Sequence, residues 1–185
     1  MRIIGGNFRG RKLIALSGDD IRPTSDRVRE AIFNILGPWI RDTSVLDLYA
    51  GTGALGLEAL SRGAKAAVFV DAAITSCEVI QKNIDLCKIS EKTTLVHHDI
   101  TGHPFPQVLK AAPFDLIFMD PPYDKGYVET TLGKSDFISL LAPEGIVVVE
   151  QSFKESLAES VNGLDIYRQK KYSKTLVSFL RKSKF

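Results

Sequence analysis

The sequence predicts an α/β protein with a mostly parallel β-sheet that is covered by helices on both faces. Short apolar runs alternate with segments of helical periodicity along most of the 185 residues, which implies right-handed crossovers between parallel strands. A glycine-rich turn follows the first central run, as at the start of a Rossmann-like unit. The last two runs are too close together for a crossover helix, so we expect the last strand to be antiparallel at one edge.

The N-terminal residues predict a small element that precedes the sheet. Residues 1–4 and 11–16 have the pattern of a short β-hairpin around a glycine-rich turn. This segment is also basic. We therefore divide the chain into a basic hairpin extension, residues 1–24, and a main domain, residues 25–185.

The rest of the chain predicts one further amphipathic helix and the strands of the sheet. Apolar side chains recur at helical spacing from Val28 to Trp39, and Pro38 ends or kinks this helix. The strands are expected at residues 44–49, 66–71, 93–98, 114–119, 145–150, 164–169 and 175–181. The helices are expected at residues 54–62, 74–88 and 127–141, with shorter ones near 104–111 and 153–161. The fold class is therefore a seven-stranded, mostly parallel sheet with an antiparallel last strand and an N-terminal β-hairpin.

Composition indicates a soluble, cytoplasmic protein. The sequence has no run of 18 or more apolar residues and no hydrophobic signal core after Met1. Cys77 and Cys87 are isolated, which is typical of reduced cysteines, and no spacing of possible ligands suggests a metal. We expect neither a membrane nor a metal ion as a partner.

Charge is distributed unevenly, although the net charge is only +2. Residues 1–29 contain seven Lys or Arg and three Asp or Glu, and residues 168–185 contain seven Lys or Arg and no acid. The segment between them is acidic. Charge runs usually form solvated faces, but two basic ends around an acidic body favour a polyanion that docks beside a site preferring cations.

The glycine-rich turn predicts a nucleotide cofactor. Gly51, Gly53 and Gly56 match G-x-G-x-x-G, and Asp71 lies twenty residues after Gly51, where an acid can accept the ribose hydroxyls of an adenosine. A nicotinamide dinucleotide satisfies the glycine pattern equally well. Asp47 favours S-adenosylmethionine, because a carboxylate at this strand end repels a pyrophosphate and attracts ammonium and sulfonium groups. Helix capping or a water contact is the alternative role for Asp47.

The tetrapeptide Asp120-Pro121-Pro122-Tyr123 predicts the chemistry. It follows an apolar run that has the pattern of a strand buried on both faces. Asp120 and the backbone carbonyl of Pro121 can accept the N–H groups of an exocyclic amine, whose lone pair is otherwise delocalised into the base. Tyr123 offers a ring on which a flipped base can stack. The alternative is a proline turn that closes a strand, with Tyr123 merely packed.

Five sequence blocks, spread along nearly the whole chain, carry a resemblance to a known family. They are RIIGG at residues 2–6, RGRKL at 9–13, RPTSDRVREAIFNIL at 22–36, LDLYAGTGALGLEAL at 46–60 and FMDPPY at 118–123. With these blocks the chain resembles the bacterial small-subunit ribosomal RNA guanine methyltransferases, which have a class I, Rossmann-like fold and modify the 2-amino group of one guanine. DNA adenine methylases share the last block, whereas the third block is far more specific.

The resemblance implies S-adenosylmethionine as the cofactor and ribosomal RNA, naked or in an assembled small-subunit particle, as the partner. It assigns cofactor contacts to Asp47, Gly51, Thr52, Gly53, Asp71 and Asp99, the target base to residues 120–123, and RNA contacts to Arg9, Arg11, Lys12 and Arg22. We add Ala50, Gly56 and Asp120 as cofactor contacts, and Lys170 and Lys171 as RNA contacts. Asp99 is equally compatible with capping the next turn. The chain departs from the family where Asp71 replaces a usual Glu and where Ser173 replaces a usual Gly.

The expected reaction is the in-line transfer of a methyl group from sulfur to a guanine amino nitrogen. Asp120 would orient the amine and accept its proton, and alignment would supply most of the rate because the donor is already activated. Methylation of an adenine amino group in DNA is the nearest alternative. A nicotinamide-binding redox protein or a nucleotide sensor without catalysis is more remote.

Overall fold

Alternating strands and helices form two units, Met1–His98 and Asp99–Phe185, in the computed structural model of the chain. The structure describes residues 1–16, 25–111 and 113–184. Within this part, none of the helices is long and apolar enough to cross a membrane. The division of the chain at residue 24 stays a prediction.

The first unit has three parallel strands among its described residues. Its elements are α1 Asp26–Leu36, β1 Ser44–Leu48, α2 Ala54–Ser61, β2 Ala66–Asp71, α3 Ile74–Cys87 and β3 Thr93–His97. β2 lies between β1 and β3 and pairs with both in parallel. α1 begins after Ser25, whose hydroxyl accepts a hydrogen bond from the backbone N–H of Val28. α2 is buried along its whole length, which agrees with its nearly continuous apolar sequence.

The predicted N-terminal hairpin is present in a short form. Arg2 and Lys12 form an antiparallel bridge, and the N–H of Ile3 donates to the carbonyl of Arg11 at 2.9 Å. A single 3-10 turn, Gly6–Phe8, connects the two arms. Ile3 is 1% exposed, so the hairpin packs on the body of the first unit.

The second unit combines one parallel and several antiparallel strand pairs. Its elements are β4 Phe114–Met119, α4 Tyr127–Leu132, α5 Phe137–Leu140, β5 Leu141–Ser152, β6 Ser160–Val161, β7 Leu164–Tyr172 and β8 Thr175–Lys182. β4 and β5 are parallel, β8 is antiparallel to β5, and β7 is antiparallel to both β8 and β6. The antiparallel arrangement of the last strand therefore agrees with the sequence.

Two predicted helices differ from the structure. The helix expected over residues 127–141 is interrupted: α4 ends at Leu132, and the N–H of Gly133, which follows it, donates to the carbonyl of Glu129. The short helix expected near residues 153–161 is absent: residues 160–161 form β6 instead. This two-residue strand raises the number of strands among the described residues from the expected seven to eight.

Candidate active site

The glycine-rich turn passes from β1 to α2 through left-handed backbone conformations. Gly51 has a φ of 57° and Gly53 a φ of 76°, a region in which glycine carries no steric penalty. A Cβ on Gly51 would meet no atom nearer than the carbonyl oxygen of Tyr49, at 3.9 Å, so the loop is open at this Cα. A Cβ on Gly56 would lie 2.4 Å from Cε1 of Phe69. The third glycine therefore allows α2 to pack against β2, and its cofactor contact stays a prediction.

Asp47 supports the start of α2. Its side chain is buried at 1% exposure, and Oδ2 accepts a hydrogen bond of 2.9 Å from the N–H of Gly56. A carboxylate is favourable at this end of a helix because the first N–H groups have no partner within the helix. The capping role that the sequence left open is thus present. Attraction of a sulfonium by the same charge stays a prediction.

Asp71 holds the glycine loop through its carboxylate. Oδ2 accepts a hydrogen bond of 2.8 Å from the N–H of Gly51, and Oδ1 accepts one of 2.9 Å from the N–H of Ala73. Ala50 is fixed beside it, since its N–H donates to the carbonyl of Val70 at 3.1 Å. A carboxylate oxygen has more than one acceptor position, so Asp71 can bind the loop and a ribose hydroxyl together.

Asn83 connects the glycine loop to the hairpin, and the sequence reasoning missed it. Its buried amide donates from Nδ2 to the carbonyl of Thr52 at 2.9 Å and to that of Ile14 at 3.1 Å. Its Oδ1 accepts from the N–H of Ile14 at 2.8 Å. An amide at a position in phase with the buried Ile80 and Ile84 of α3 is the sequence signal that could have revealed it.

The polar groups of the glycine loop fit a cationic adenosine cofactor. Two carboxylates, Asp47 and Asp71, bind its backbone, and their negative charge would repel a pyrophosphate and attract a cation. The open Cα of Gly51 permits close approach of a ligand. These residues therefore suit S-adenosylmethionine better than a dinucleotide.

Glu58 fixes the hairpin on α2 and was also missed. Its buried carboxylate accepts hydrogen bonds from the backbone N–H of Ile4 at 2.7 Å and of Gly5 at 2.8 Å. Arg62 donates to the same group at 2.7 Å, and the fully buried Arg29 lies 3.9 Å away. Arg29 belongs to the RPTSDRVRE block, so this part of the block is structural. An acid within the apolar sequence of α2 is the signal that could have indicated the contact.

Arg9 lies on a charged cleft between the hairpin and α1. The cleft has a volume of about 330 Å³ and is lined by Arg2, Arg9 and Arg27 together with the acids Asp26 and Glu30. Arg9 is exposed. The three guanidinium groups make this cleft a candidate surface for phosphates.

The other basic residues of the N-terminal segment differ in their availability. Lys12 is exposed. The guanidinium of Arg11 lies 5.4 Å from the ring centroid of Phe8 and donates from Nη1 to the carbonyl of Leu86, near the C-terminus of α3. Arg11 therefore stabilises the packing of the hairpin in addition to any RNA contact. Arg22 lies outside the described residues.

In the second unit, Asp99 caps the turn that follows it. Its Oδ1 accepts hydrogen bonds from the hydroxyl of Thr101 at 2.6 Å and from the N–H of the same residue at 2.8 Å. The hydroxyl contact, followed by the backbone contact, holds the pKa of Asp99 below its ordinary value. The capping alternative is thus present, and a contact to adenine stays a prediction.

The Asp120-Pro121-Pro122-Tyr123 motif follows β4 directly. β4 is almost wholly buried, as the sequence indicated, and within the motif Pro121 is buried, Pro122 is exposed, and Asp120 and Tyr123 are intermediate. The chain then turns at Asp124, which has a φ of 58°. The motif therefore stands at the carboxyl end of a buried strand, where open α/β proteins bind ligands.

The hydroxyl of Tyr123 is fixed by two residues that the sequence reasoning missed. It donates to Oε1 of Glu150 at 3.0 Å and lies 3.0 Å from Oγ1 of Thr175. Burial, and then the charge of Glu150, raise the pKa of the Tyr123 phenol above its ordinary value. Tyr123 is thus held in place by polar contacts and is not merely packed. An acid near the end of the apolar strand β5 was the available signal for Glu150.

Lys170 and Lys171 are exposed on β7. The Nζ atom of Lys171 lies 2.9 Å from the ring centroid of Phe153, just after β5. The N–H of Phe153 donates to the carbonyl of Lys174 at 2.8 Å. This end of the second unit therefore combines ammonium groups with an aromatic ring.

Comparisons with known proteins agree with these features. The sequence matches the family described as conserved hypothetical protein 95 over residues 1–181. Ribosomal RNA small subunit methyltransferase D of Escherichia coli (strain K12) is 35% identical over 170 residues, which cover 92% of this chain and 84% of that protein.

Solved structures show the same fold. The Escherichia coli protein yhhF superposes with a TM-score of 0.82 at 34% identity, covering 99% of this chain and 98% of that chain. The T. Thermophilus 16S rRNA N2 G1207 methyltransferase (RsmC), solved with AdoMet and guanosine, gives a TM-score of 0.69 at 25% identity, covering 90% of this chain and 45% of that chain. The fold class predicted from the sequence is confirmed.

Proposed function

We propose that the chain, which belongs to the family described as conserved hypothetical protein 95, methylates the 2-amino group of a guanine in small-subunit ribosomal RNA. Its similarity to ribosomal RNA small subunit methyltransferase D supports the proposal. At the coarser level it is an S-adenosylmethionine-dependent ribosomal RNA methyltransferase. The choice of guanine and of its 2-amino group is the finer part of the proposal.

S-adenosylmethionine supplies a methyl group that is already activated by the positive charge on sulfur. Asp71, with the open backbone of Gly51, would bind the adenosine, and Asp47 would favour the cationic part. Thr52 and Gly53 would contact the cofactor through the turn that they shape. The protein therefore contributes binding and alignment, which account for much of the rate in such transfers.

The observation that carries the proposal is the Asp120-Pro121-Pro122-Tyr123 motif at the end of β4. Asp120 would accept an N–H of the guanine amine and take its proton, and the carbonyl of Pro121 would accept the second N–H, while Pro122 stiffens the turn. The ring of Tyr123 would stack on the extruded base, because its hydroxyl is anchored by Glu150 and Thr175. This arrangement suits an exocyclic amine on a base.

The basic residues would bind the surrounding phosphates. Arg9 and Lys12 are exposed on the hairpin, and Lys170 and Lys171 are exposed on β7. Phosphate contacts hold a nucleic acid in position without reading its sequence. A ribosomal RNA, naked or in a small-subunit particle, is the partner that this charge distribution favours.

Mass spectrometry of ribosomal RNA nucleosides from cells that lack the gene tests the proposal. We expect loss of one N2-methylguanosine from the small-subunit RNA, restored by the wild-type gene. Asp120→Ala should not restore it, because losing a positioned proton acceptor lowers the rate by about 10²–10⁴. Asp124→Asn is the matched control: it removes a carboxylate from the same loop, and Asn tolerates the left-handed backbone there.

Labelled methyl transfer to purified naked RNA and to small-subunit particles identifies the form of the substrate.

If the Asp120→Ala variant restores N2-methylguanosine in the cells that lack the gene, the motif has only a structural role at the end of β4. Loss of N6-methyladenine from DNA, with unchanged ribosomal RNA, would replace the proposal by the DNA adenine alternative.

A further inference from the structure

The hydroxyl of Tyr123 contacts two cross-strand rows of side chains in the antiparallel part of the sheet. Each row consists of residues directly opposite one another in β5, β8 and β7: the first contains Glu150, Val177 and Lys170, and the second contains Ser152, Thr175 and Tyr172. Opposite side chains share a face of the sheet, with their Cβ atoms about 4.5–5.5 Å apart. Because Tyr123 contacts Glu150 and Thr175, its hydroxyl is on the face that carries Lys170 and Tyr172.

Lys171 lies on the other face of the sheet. Successive residues of a strand point to opposite faces, so Lys171 points away from the face that carries Lys170 and Tyr172. Its Nζ atom lies instead 2.9 Å from the ring centroid of Phe153, which directly follows β5. The two neighbouring lysines are thus equal in charge and both exposed, but only Lys170 shares a face with the hydroxyl of Tyr123.

The row that contains Tyr172 stands at the ligand-binding edge of the second unit. It includes Ser152, the last residue of β5, and β5 is parallel to β4, which the Asp120-Pro121-Pro122-Tyr123 motif follows. Open α/β sheets bind ligands at this carboxyl edge. Tyr172 pairs with Thr175, whose Oγ1 lies 3.0 Å from the hydroxyl of Tyr123. A second aromatic residue is therefore the neighbour, within its row, of a residue that contacts Tyr123.

The same face of β7 is basic beyond Tyr172. Arg168 pairs with Phe179, which is two residues further along β8 than the partner of Lys170, so both basic side chains share a face. Arg168 and Lys170 are exposed, Tyr172 is partly exposed, and no acid occurs from residue 168 to the C-terminus. Proteins bind single-stranded nucleic acid with this combination, because aromatic rings stack on bases and cationic groups attract phosphates.

We propose that Tyr172, Lys170 and Arg168 form a binding surface, the β7 surface, for the RNA strand that continues from the target guanine. The base next to the target stacks on Tyr172, and the two cationic side chains bind the phosphates that follow. The β7 surface rests on the proposed function, because it needs an RNA whose target base lies at Tyr123. It excludes Lys171, although Lys171 belongs to the same basic segment.

A purely structural role for Lys170 is the alternative. Glu150 is 4% exposed and stands in the same row, separated from Lys170 by Val177. If the ammonium group only balanced this buried carboxylate, its removal would lower the melting temperature of the protein. It would not change how strongly salt weakens the binding of RNA. The two roles therefore differ in a property that can be measured.

Lys170→Gln and Lys171→Gln are a matched pair, since each removes one exposed ammonium group from adjacent positions of β7. Binding is measured by filter retention at increasing salt, with the small-subunit RNA, naked or in particles, that the wild-type protein methylates. Lys170→Gln should reduce the slope of log K against log salt by about 0.7, the value for one single-strand phosphate contact. Lys171→Gln should leave the slope unchanged, and Arg168→Gln with Lys170→Gln should reduce it by about 1.4.

Stacking on Tyr172 is measured by labelled methyl transfer with the concentration of the same RNA varied. Tyr172→Leu keeps an apolar side chain but removes the stacking face, and it should raise the KM for RNA about 5- to 100-fold. Tyr172→Phe keeps the ring and should keep the KM within about twofold of wild type. Phe153→Leu removes a ring that is 50% exposed on the other face, and it should leave the KM unchanged. The Kd for S-adenosylmethionine, measured by calorimetry, should be the same in every variant.

The possible outcomes separate the β7 surface from the proposed function. An unaltered KM in Tyr172→Leu, an equal rise in Phe153→Leu, or equal salt slopes in the two lysine variants would overturn the β7 surface alone. A lower melting temperature in Lys170→Gln by circular dichroism, with an unaltered slope, would overturn its phosphate contact and assign Lys170 to the balance of Glu150. A wild-type protein that methylates no RNA would overturn the proposed function, and the β7 surface with it.

Discussion

Replacement of Asp47 by Asn or Ala separates its support of α2 from an effect on the cofactor. Asn keeps an oxygen that can accept from the N–H of Gly56, now without charge, whereas Ala leaves a buried N–H without that acceptor. Since charged hydrogen bonds contribute about 1 kcal/mol more than neutral ones, Asp47→Asn should cost about 1 kcal/mol of unfolding free energy. Asp47→Ala should cost about 1–3 kcal/mol. For a chain of this size the melting temperature should fall by about 2–4 °C for each kcal/mol.

The cofactor effect is measured with two ligands that differ in charge. S-adenosylmethionine carries a positive sulfonium, whereas its demethylated product S-adenosylhomocysteine has a neutral thioether. If Asp47 attracts the sulfonium, Asp47→Asn should raise the Kd of the first ligand about tenfold more than that of the second. A factor of ten corresponds to about 1.4 kcal/mol of charge attraction. Isothermal titration calorimetry at 25 °C measures both constants.

Equal changes for the two ligands would refute this reasoning. Asp47 would then act only through the start of α2, and the preference for a cation would have to come from other groups. Asn34→Ala is a suitable control, because it removes an exposed amide from α1 and should change neither Kd.

The remaining predictions concern the RNA contacts, the helix packing and the pH dependence. Arg9→Ala with Lys12→Ala should reduce the salt slope of RNA binding by about 1.4–1.8, measured by filter binding from 50 to about 300 mM salt, while the Kd for S-adenosylmethionine stays constant. Gly56→Ala should lower the unfolding free energy by about 1–3 kcal/mol in denaturant titration, because its Cβ would overlap Phe69. Tyr123 should stabilise the folded state fully below the ordinary tyrosine pKa of 10.0 and lose this contribution as pH rises above it, since the unfolded chain releases the proton first. Tyr123→Phe should flatten that alkaline decline in stability; an unchanged decline would show that other groups cause it.

Much of the fold could be predicted, because many of its elements depend on patterns among residues that are close together in the sequence. β1, β2 and β4 begin and end within one residue of expectation, because each is a short apolar run bounded by polar or turn residues. The helix expected over residues 127–141 was wrong as a single element, since its periodicity continues across Gly133 although the chain turns there. A strand of two residues, such as Ser160–Val161, has no periodicity to detect.

The residues of the candidate site likewise include some that a local sequence pattern indicates and others whose contacts no local pattern indicates. Asp47, Asp71 and Asp120 could be singled out because each lies at or next to the carboxyl end of an apolar strand, where open α/β sheets bind ligands. Glu58 and Asn83 stand out locally only as polar residues within apolar helical patterns. Their partners in the hairpin lie 54 and 69 residues away in the sequence, and no local pattern encodes that pairing. Their partners became visible only once the hairpin had been placed on α2 and α3.

The amide of Asn83 has a consequence for the motions of the first unit. It binds both backbone groups of Ile14 and the carbonyl of Thr52, so separation of either segment from α3 leaves a polar atom of this buried amide without its protein partner. The hairpin arm and the glycine loop should therefore open as one cooperative unit. In native-state hydrogen exchange, the amides of Ile14 and Gly53 would then share a common opening free energy, and substitution of Asn83 would allow the arm to exchange independently of the loop.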